Sequence, residues 1–399
     1  MGKLHFTRSD YAVFVMFTAY ALGSFIVPMC LVSIADDLAF PLASGGMGMG
    51  GSLQLIRSFA ITAMLLACGF VAAHFGKRRP VGLAAMVMAL GVLLAAGASN
   101  YYILLAAMMV AGLGEGVVEG LTNPMMAALH PEEPGRYVNI TYGFWSGGLV
   151  LATVLGGWLL ELGIGWRIII MSVSACGLVS GLMLLVPDTK AIPEGSADGG
   201  RNVIPDTVLL LKTPRFYIYL TALFLAGGCG FGLSFWCPAF VQLAFGTSAA
   251  AAGMAAAVFA LGMMTSRMFA GIFVHDRFAP RLLIMSSLLA AAASLAFAWT
   301  SSKIWVFPLL FAAGTGTGPL WPTIETLCMR RLPDRNSTQI FIVLSASGIP
   351  GCGIFSVLLG HLGDLFGIRA AMLTAPVCFL ITAALIAIDN RKPSICKNQ

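Results

Sequence analysis

Twelve long apolar stretches run along this chain, and they restrict its possible folds more than any other feature. An α-helix needs roughly 20 apolar residues to cross about 30 Å of hydrocarbon, and each stretch is long enough. Strands of a transmembrane barrel would alternate in polarity every second residue, whereas these stretches are continuous. We therefore predict an all-α membrane protein with twelve transmembrane helices. The predicted helices are 11–34, 47–73, 80–98, 102–128, 138–160, 165–187, 215–238, 249–274, 281–299, 304–328, 338–361 and 367–388.

Composition agrees with this prediction and excludes several classes of protein. Hydrophobic residues make up 58% of the 399 positions and charged residues only 10%. The first stretch runs too long for a cleaved signal peptide and has no clear cleavage site, so we expect it to remain as a helix. The nine cysteines show no CxxC pair and no histidine at metal-ligand spacing, which favours packing roles. Catalytic motifs are also missing, so we expect no enzyme activity, no cofactor and no bound metal.

Basic residues fall mostly on one side of the predicted helices. With the N-terminus inside, eighteen of the 23 Lys and Arg residues lie in inner segments, and only Arg167, Lys303 and Arg369 lie in outer ones. Because positively charged loops are retained in the cytoplasm, both termini are predicted to be cytoplasmic. We expect the membrane to be a bacterial cytoplasmic (inner) membrane. The net charge of +6 then reflects topology and does not suggest a nucleic-acid partner.

A polar interval rich in Pro, Gly, Asp and Ser divides the predicted helices into six plus six, and it is typical of a flexible linker. We predict an N-terminal six-helix bundle at 1–188, a cytoplasmic linker at 189–214 and a C-terminal six-helix bundle at 215–399. The halves match one another at an offset of 202 positions, which indicates a duplicated bundle. Matching pairs are Gly69/Gly271, Gly112/Gly314, Gly114/Gly316, Gly116/Gly318, Pro131/Pro333, Gly165/Gly367 and Arg167/Arg369.

The segment "GFVAAHFGKR" after the second predicted helix is similar to a loop signature of the major facilitator superfamily of secondary transporters. Ala73 and His74 stand where that family has an Asp and its first Arg. Twelve helices in two repeated halves strengthen the resemblance, which implies alternating access about a site at mid-membrane depth. The resemblance assigns gating-loop roles to Gly69, Gly76, Lys77 and Arg78 in the first copy and to Asp276 and Arg277 in the second.

The fourth predicted helix contains "EGLTNP", which is similar to the fucose and glucose/galactose permease branch of that superfamily. This resemblance implies that Glu119 is a proton-linked carboxylate and that Asn123 and Asn139 contact sugar. The fucose symporters also carry an Asp in the first helix, whereas this chain has no acid there until Asp36 and Asp37. The resemblance therefore leaves the substrate and the coupling stoichiometry open.

Glu115 and Glu119 stand out on physical grounds as well. A charged carboxylate inside a bilayer is costly, so such a residue is expected to be protonated, paired or exposed to a watery cavity. Glu115, Glu119 and Asn123 are spaced four apart and share one helical face. We predict proton-coupling roles for the two glutamates, and the alternative is that one of them pairs with Arg57 in the second helix.

Other polar and aromatic residues inside the predicted helices are candidates for a substrate cavity, because rings stack on sugar faces and amides or carboxylates bind hydroxyls. Packing is the alternative for each aromatic residue, and Glu325 could instead neutralise Arg330 or Arg331. Arg267, toward the inner end of the eighth helix, is expected to be structural. The predicted substrate-binding residues are Gln54, Arg57, Asn123, Asn139, Tyr142, Trp145, Trp236, Gln242, Trp321 and Glu325.

Three functions remain open from the sequence. The first is proton-coupled uptake (symport) of a sugar or sugar-like polar solute by a monomer in contact with membrane lipids, with sodium as the alternative coupling ion. The second is a proton-coupled exporter of drugs or metabolites. In a variant of either function, the transported solute is an organic anion that Arg57 binds. The third is a non-transporting receptor or lipid scramblase. Such a protein would need an additional soluble domain or a lipid-accessible groove, and no such domain is visible in the sequence.

Overall fold

The computed structural model describes residues 6–130, 134–186, 203–273, 278–335 and 337–391. Within these ranges the regular structure is entirely helical, and twelve helical segments are long and apolar enough to cross a membrane. This confirms the predicted all-α membrane fold. The helices are α1 Arg8–Met29, α2 Leu31–Asp37, α3 Met47–Phe75, α4 Arg78–Ala96, α5 Tyr101–Leu129, α6 Pro134–Glu161, α7 Trp166–Leu185, α8 Val203–Leu211, α9 Phe216–Phe245, α10 Ala249–Phe273, α11 Ala279–Trp299, α12 Lys303–Thr317, α13 Leu320–Arg331, α14 Ser337–Phe366, α15 Ile368–Met372 and α16 Thr374–Arg391.

Local sequence signals set several helix ends. Thr7 and Asp10 exchange side-chain to backbone hydrogen bonds in a capping box that begins α1. The Asn100 side chain accepts a hydrogen bond from the Ile103 N–H at 3.0 Å and begins α5. α9 ends at Gly246, whose φ of +60° lies in the left-handed region that favours glycine. These caps satisfy backbone groups that would otherwise lack partners at helix ends.

The tenth predicted helix, 304–328, is confirmed as one candidate membrane span, Lys303–Arg331, but the structure breaks it into two helices, α12 and α13. Pro319 occupies the N-cap of α13, and proline cannot donate a backbone hydrogen bond within a helix. Pro322 removes another donor one turn later, where its N–H would have met the carbonyl of Gly318. The break therefore leaves the Gly318 carbonyl available to a side chain.

In the described part of the predicted linker, residues 203–214, α8 lies against α14. The Thr207 hydroxyl donates to the Gln339 side-chain oxygen at 3.2 Å. Residues 187–202, in which the polar interval begins, lie outside the described part of the chain.

The same helix pairings occur in both halves of the molecule. In the first half α1 packs on α6, α3 on α5, and α4 on both α5 and α7. In the second half α9 packs on α14, α10 on α12, and α11 on both α12 and α16. Across the halves, α3 packs on α14 and α6 on α10. Each half thus supplies one helix of each cross-half pair, in the arrangement that a two-fold pseudosymmetric molecule requires.

The two halves are held together at the end of the bundle where α3 and α10 begin. There the Asp364 carboxylate accepts hydrogen bonds from the backbone N–H groups of Met47 at 3.0 Å and Gly48 at 2.7 Å. Correspondingly, the Glu161 carboxylate accepts from the Ala250 N–H at 3.1 Å. Each half therefore caps the N-terminus of a helix that belongs to the other half.

Candidate solute site

A cavity of about 1470 Å³ lies between the two halves, at the middle of their helices. Its walls come from α1, α3, α5 and α6 on one side and from α9, α10, α12, α13 and α14 on the other. The predicted site residues that line it are Gln54, Arg57, Glu115, Glu119, Tyr142, Trp145, Trp321 and Glu325.

Arg57 and Glu115 form a buried ion pair in the first-half wall. Arg57 Nε lies 2.9 Å from Glu115 Oε2, and Arg57 Nη2 lies 2.7 Å from Glu115 Oε1. Arg57 Nη1 donates to the Ser24 carbonyl at 2.9 Å and to Gln54 Oε1 at 3.3 Å, and Nη2 also donates to the Ser24 hydroxyl. A guanidinium has five N–H donors, and these contacts occupy all of them. The pair joins α1, α3 and α5 and leaves Arg57 no donor for a solute.

Glu119, one turn along α5 from Glu115, has a different environment. Its side chain is 8% exposed, and Oε1 accepts a hydrogen bond from the Tyr142 hydroxyl at 3.0 Å. The Tyr20 hydroxyl also interacts with this carboxylate. Among the described residues, no basic side chain forms an ion pair with Glu119. The carboxyl therefore lies in the cavity with neutral donors only, which lets it gain or lose a proton without breaking an ion pair.

Glu325 on α13 is the acidic residue of the opposite wall. It is 3% exposed, and its Oε1 accepts a hydrogen bond from the Ser345 hydroxyl at 2.9 Å. The neighbouring cation Arg331 lies instead near Asp389, with Nε 3.8 Å from Oδ2, and donates to Asn390. Glu325 thus faces the cavity, as the site prediction has it, and Arg331 is not its partner.

Arg267 on α10 also lines the cavity, although the sequence suggested a structural role near the helix end. Its Nε donates to the Gly318 carbonyl at 2.9 Å, at the break between α12 and α13. Its guanidinium carbon lies 5.9 Å from the centre of the Trp145 ring. Its Nη1 is buried and has no hydrogen-bond partner among the described residues.

Aromatic rings form much of the remaining wall. Trp145 packs edge-on against Phe25, with ring centres 5.5 Å apart. Trp321 lies between α9 and α14, where glycines at 227 and 348 leave room for its ring: a Cβ at either would come within 2.6 Å of it. The cavity therefore combines broad apolar surfaces with a few charged and hydroxyl groups, a combination suited to binding a small polar molecule.

Some predicted site residues do not belong to this cavity. Trp236 is buried in the core, where its indole N–H donates to the Ser356 carbonyl at 2.9 Å. Gln242 donates to the Pro238 carbonyl one turn back, at 3.4 Å. Neither is among the residues that line the cavity, because both lie toward the C-terminal end of α9, beyond its cavity-lining residues. Asn123 on α5 and Asn139 on α6 lie outside the residues whose side chains are described.

The gating-loop residues lie at the other end of the bundle from the cross-half caps. Gly76 has a φ of +70° in the turn between α3 and α4, followed by Lys77 at the N-cap of α4. The Arg78 guanidinium donates to the Leu184 carbonyl at 2.8 Å and to the Val186 carbonyl, both near the end of α7. Gly69 lies within α3, and Asp276 and Arg277 lie outside the described residues.

Three hydroxyl residues that contact ionisable groups of the cavity were not predicted from the sequence. They are Tyr20 at Glu119, Ser24 at Arg57 and Ser345 at Glu325. Tyr20 and Ser24 stand four positions apart in the first apolar stretch, so they share a helical face. That spacing was a usable signal for a polar stripe. Among the described residues, no group of three or more His, Cys, Asp or Glu side chains is arranged to hold a metal ion.

Comparison with known proteins identifies a single broad family. The model of the Major Facilitator Superfamily matches residues 12–352. The purine ribonucleoside efflux pump NepI of Escherichia coli is 23% identical over 401 residues, which cover 95% of this chain and 94% of the relative.

Two solved structures share the fold over nearly the whole chain. The first is a bacterial homologue of the human lysosomal transporter Spinster in an inward-facing, unoccupied conformation, with a TM-score of 0.77 and 17% identity over 96% of both chains. The second is the E. coli fucose:proton symporter FucP, with a TM-score of 0.69 and 18% identity over 96% of this chain and 98% of that one.

Proposed function

We propose that this chain, which belongs to the major facilitator superfamily, is a proton-coupled secondary transporter that takes up a sugar or sugar-like polar solute by alternating access. One observation carries the proposal. Glu119 lies buried in the central cavity with hydroxyl donors and no ion-pair partner among the described residues, whereas Glu115, one turn away, is held by Arg57. Of the two glutamates on α5, Glu119 is therefore the one that can change its charge without dismantling a buried ion pair.

The expected cycle follows from the cost of a buried charge. An ionised carboxylate at mid-membrane depth is unfavourable, so Glu119 accepts a proton before the cavity closes around the solute. Tyr20 and Tyr142 hold the carboxyl in either state, because a hydroxyl can both donate and accept a hydrogen bond. When the site opens to the cytoplasm, water solvates the carboxylate and favours release of the proton. Solute and proton then move in the same direction.

The proposed orientation places both termini and the gating loops in the cytoplasm of a bacterial cell, with the chain as a monomer in its inner membrane. The charge asymmetry of the loops supports this orientation. The cross-half caps then lie on the outer side, where they hold the two halves together, which favours an inward-facing state. The six-plus-six division with a cytoplasmic linker is part of the same proposal.

Export is the second candidate function. It is favoured by the similarity to NepI, a purine ribonucleoside efflux pump that this chain matches over 95% of its length. The same glutamate would then exchange a proton for the solute instead of carrying both together. The direction of proton flow distinguishes export from uptake, and the following experiment measures it.

The test uses Glu119→Gln in proteoliposomes that are screened with a panel of neutral and acidic sugars and nucleosides. The amide resembles the protonated carboxyl and cannot release a proton. We expect the variant to exchange solute across the membrane with little dependence on pH, and to fail to concentrate solute when only a proton gradient is imposed. For the parent protein, accumulation of solute driven by an alkaline vesicle interior supports uptake. Accumulation driven by an acidic interior supports export.

Glu115→Gln is the comparison for this test. It removes the partner of Arg57, so we expect reduced thermal stability, with a pH dependence of transport that persists in the folded fraction. Glu119→Gln protein that still concentrates solute as the parent does would show that another group couples the proton.

A further inference from the structure

Among the described residues, two basic side chains line the cavity, and one of them has an unused donor. All five N–H groups of Arg57 are occupied by Glu115, Ser24 and Gln54. Arg267 instead has a buried Nη1 with no hydrogen-bond partner. The cavity therefore contains a guanidinium with capacity to bind a further acceptor.

The break between α12 and α13 fixes the position of the Arg267 side chain. Because Pro322 cannot donate to the Gly318 carbonyl, that carbonyl accepts from Arg267 Nε at 2.9 Å. The face of the Trp145 ring lies 5.9 Å from the guanidinium carbon and stabilises the positive charge. These two contacts hold the head group within the cavity rather than at the membrane surface.

No carboxylate of the described residues forms a direct ion pair with this cation, although Glu119 and Glu325 lie near enough to interact with its charge. Glu119 and Glu325 line the same cavity, but Glu119 interacts with tyrosine hydroxyls and Glu325 accepts from Ser345, and neither forms an ion pair with Arg267. Burying a cation without an anion is costly, and intramembrane cations generally face the partner or pathway they serve. The missing anion is therefore expected to arrive with the solute.

We propose that Arg267 binds an anionic group of the transported solute, so that the substrate is a small organic acid such as an acidic sugar or a sugar phosphate. A guanidinium fits a carboxylate or a phosphate with two parallel N–H···O bonds, and Nη1 supplies an unused donor for them. This assignment rests on the proposed transport function and specifies its substrate class. It also transfers to Arg267 the anion-binding role that the sequence gave to Arg57.

The charge balance of the cavity connects the anion with the proton. The titratable groups that interact with Arg267 are Tyr142 on α6, Glu119 on α5 and Glu325 on α13. Two ionised glutamates beside a bound anion would repel it, whereas protonated ones can donate hydrogen bonds to it. The solute anion and the proton therefore occupy the cavity together, which is the condition for moving them in one direction.

The test measures binding to the purified full-length protein in detergent by tryptophan fluorescence, for which Trp145 beside Arg267 is a natural reporter. The probes are D-glucuronate, D-glucose 6-phosphate, uncharged D-glucose and the cation tetraphenylphosphonium. We expect an acidic probe to bind more tightly than D-glucose, and the better of the two acids identifies the anionic group. Arg267→Gln is expected to weaken acid binding about 10- to 100-fold while changing D-glucose binding little. Arg79→Gln removes an exposed charge and should leave every affinity unchanged.

Arg267→Lys keeps the charge but loses the planar fork, so an intermediate acid affinity is expected, and it serves as the variant if Arg267→Gln does not fold. The proposal is overturned if neither acid binds the parent protein, if D-glucose binds as tightly as both acids, or if acid affinity survives the loss of Arg267. Tighter binding of tetraphenylphosphonium than of either acid would also overturn it, in favour of a cationic solute. Because no gradient is imposed, these results do not depend on whether Glu119 couples protons.

Discussion

At the scale of single residues, two glutamates one turn apart on α5 have different roles because their neighbours differ. Glu115 is 0% exposed and bound to the guanidinium of Arg57, which is 1% exposed. Glu119 forms no ion pair with a described residue and instead interacts with the hydroxyl groups of Tyr20 and Tyr142. Removing one member of a buried ion pair leaves the other charge without compensation, at a cost of about 3–5 kcal/mol. The first glutamate thus stabilises the wall in which the second can titrate.

This difference predicts a coupled effect of substitutions on stability. Arg57→Gln and Glu115→Gln are each expected to lower the thermal unfolding temperature strongly, since each leaves a buried charge. The double variant should be more stable than either single variant, because both charges are then absent. Unfolding followed by differential scanning fluorimetry in detergent tests this expectation, with exposed Asp36→Asn as the control. A double variant whose destabilisation equals the sum of the two single effects would contradict a direct pair.

At the scale of helices, the repeated glycines set how closely neighbouring spans approach. A Cβ at Gly114 would lie 2.4 Å from the Ala84 carbonyl oxygen on α4. Its counterpart Gly316 on α12 would place a Cβ 2.5 Å from the Ala290 nitrogen on α11. Both distances are below van der Waals contact, so only glycine permits this approach, and small residues at such crossings let the backbones pack. The packing explains the repetition of these glycines without a direct role in binding.

Gly114→Ala and Gly316→Ala are therefore expected to destabilise the bundle, by about 1–3 kcal/mol if the backbones shift to relieve the overlap. Gly143→Ala on α6 is the matched control, because nothing lies within 4 Å of its added Cβ. There alanine is expected to be neutral or slightly stabilising, since it favours the helix by about 1 kcal/mol relative to glycine. Thermal unfolding of the three variants distinguishes these outcomes. Equal effects at all three positions would show that helix propensity, rather than close approach, governs these sites.

At the scale of the whole molecule, two cross-half caps related by the pseudosymmetry hold the halves together at the end where α3 and α10 begin. Asp364 caps the start of α3 from the opposite half, and Glu161 caps the start of α10 in the reciprocal direction. Gly48 and Ala250, whose N–H groups donate, are separated by the same 202 positions as the repeated glycines. A rocking motion of one half against the other must break both caps, because each joins the two halves.

Asp364→Ala is expected to favour opening at this end. Losing an N-terminal cap costs about 1 kcal/mol, which corresponds to about a fivefold change in an opening equilibrium. Hydrogen exchange measured by mass spectrometry should become faster both at residues 47–52 and at residues 249–254, since separation of the halves exposes both helix starts. Asp36→Ala, an exposed acid near the same end, is the control. Faster exchange at α3 alone would mean that the cap stabilises one helix locally and does not hold the halves together.

The sequence alone determined the broad architecture, because the bilayer imposes a requirement that can be read from local composition. Any chain that crosses hydrocarbon must satisfy its backbone internally, so apolar length by itself predicts a helix. Twelve such lengths, with the offset that aligns Gly112 with Gly314, led to the correct family resemblance. The sequence also singled out Glu115, Glu119 and Arg57, since charges inside apolar helices are rare enough to be conspicuous.

Only the tertiary structure decided which of these charges is neutralised and which remains available. Pairing depends on groups that are mostly distant in the sequence: Ser24 and Glu115, with Gln54, occupy all donors of Arg57, whereas the Gly318 carbonyl holds Arg267 and leaves its Nη1 unused. The same helical face could have offered either glutamate to Arg57, because residues four apart project in nearly the same direction. The position of Arg57 along α3 and the approach of α3 to α5 place its guanidinium beside Glu115 rather than Glu119. The roles of the cavity residues therefore follow from the packing of the helices, which local sequence patterns do not specify.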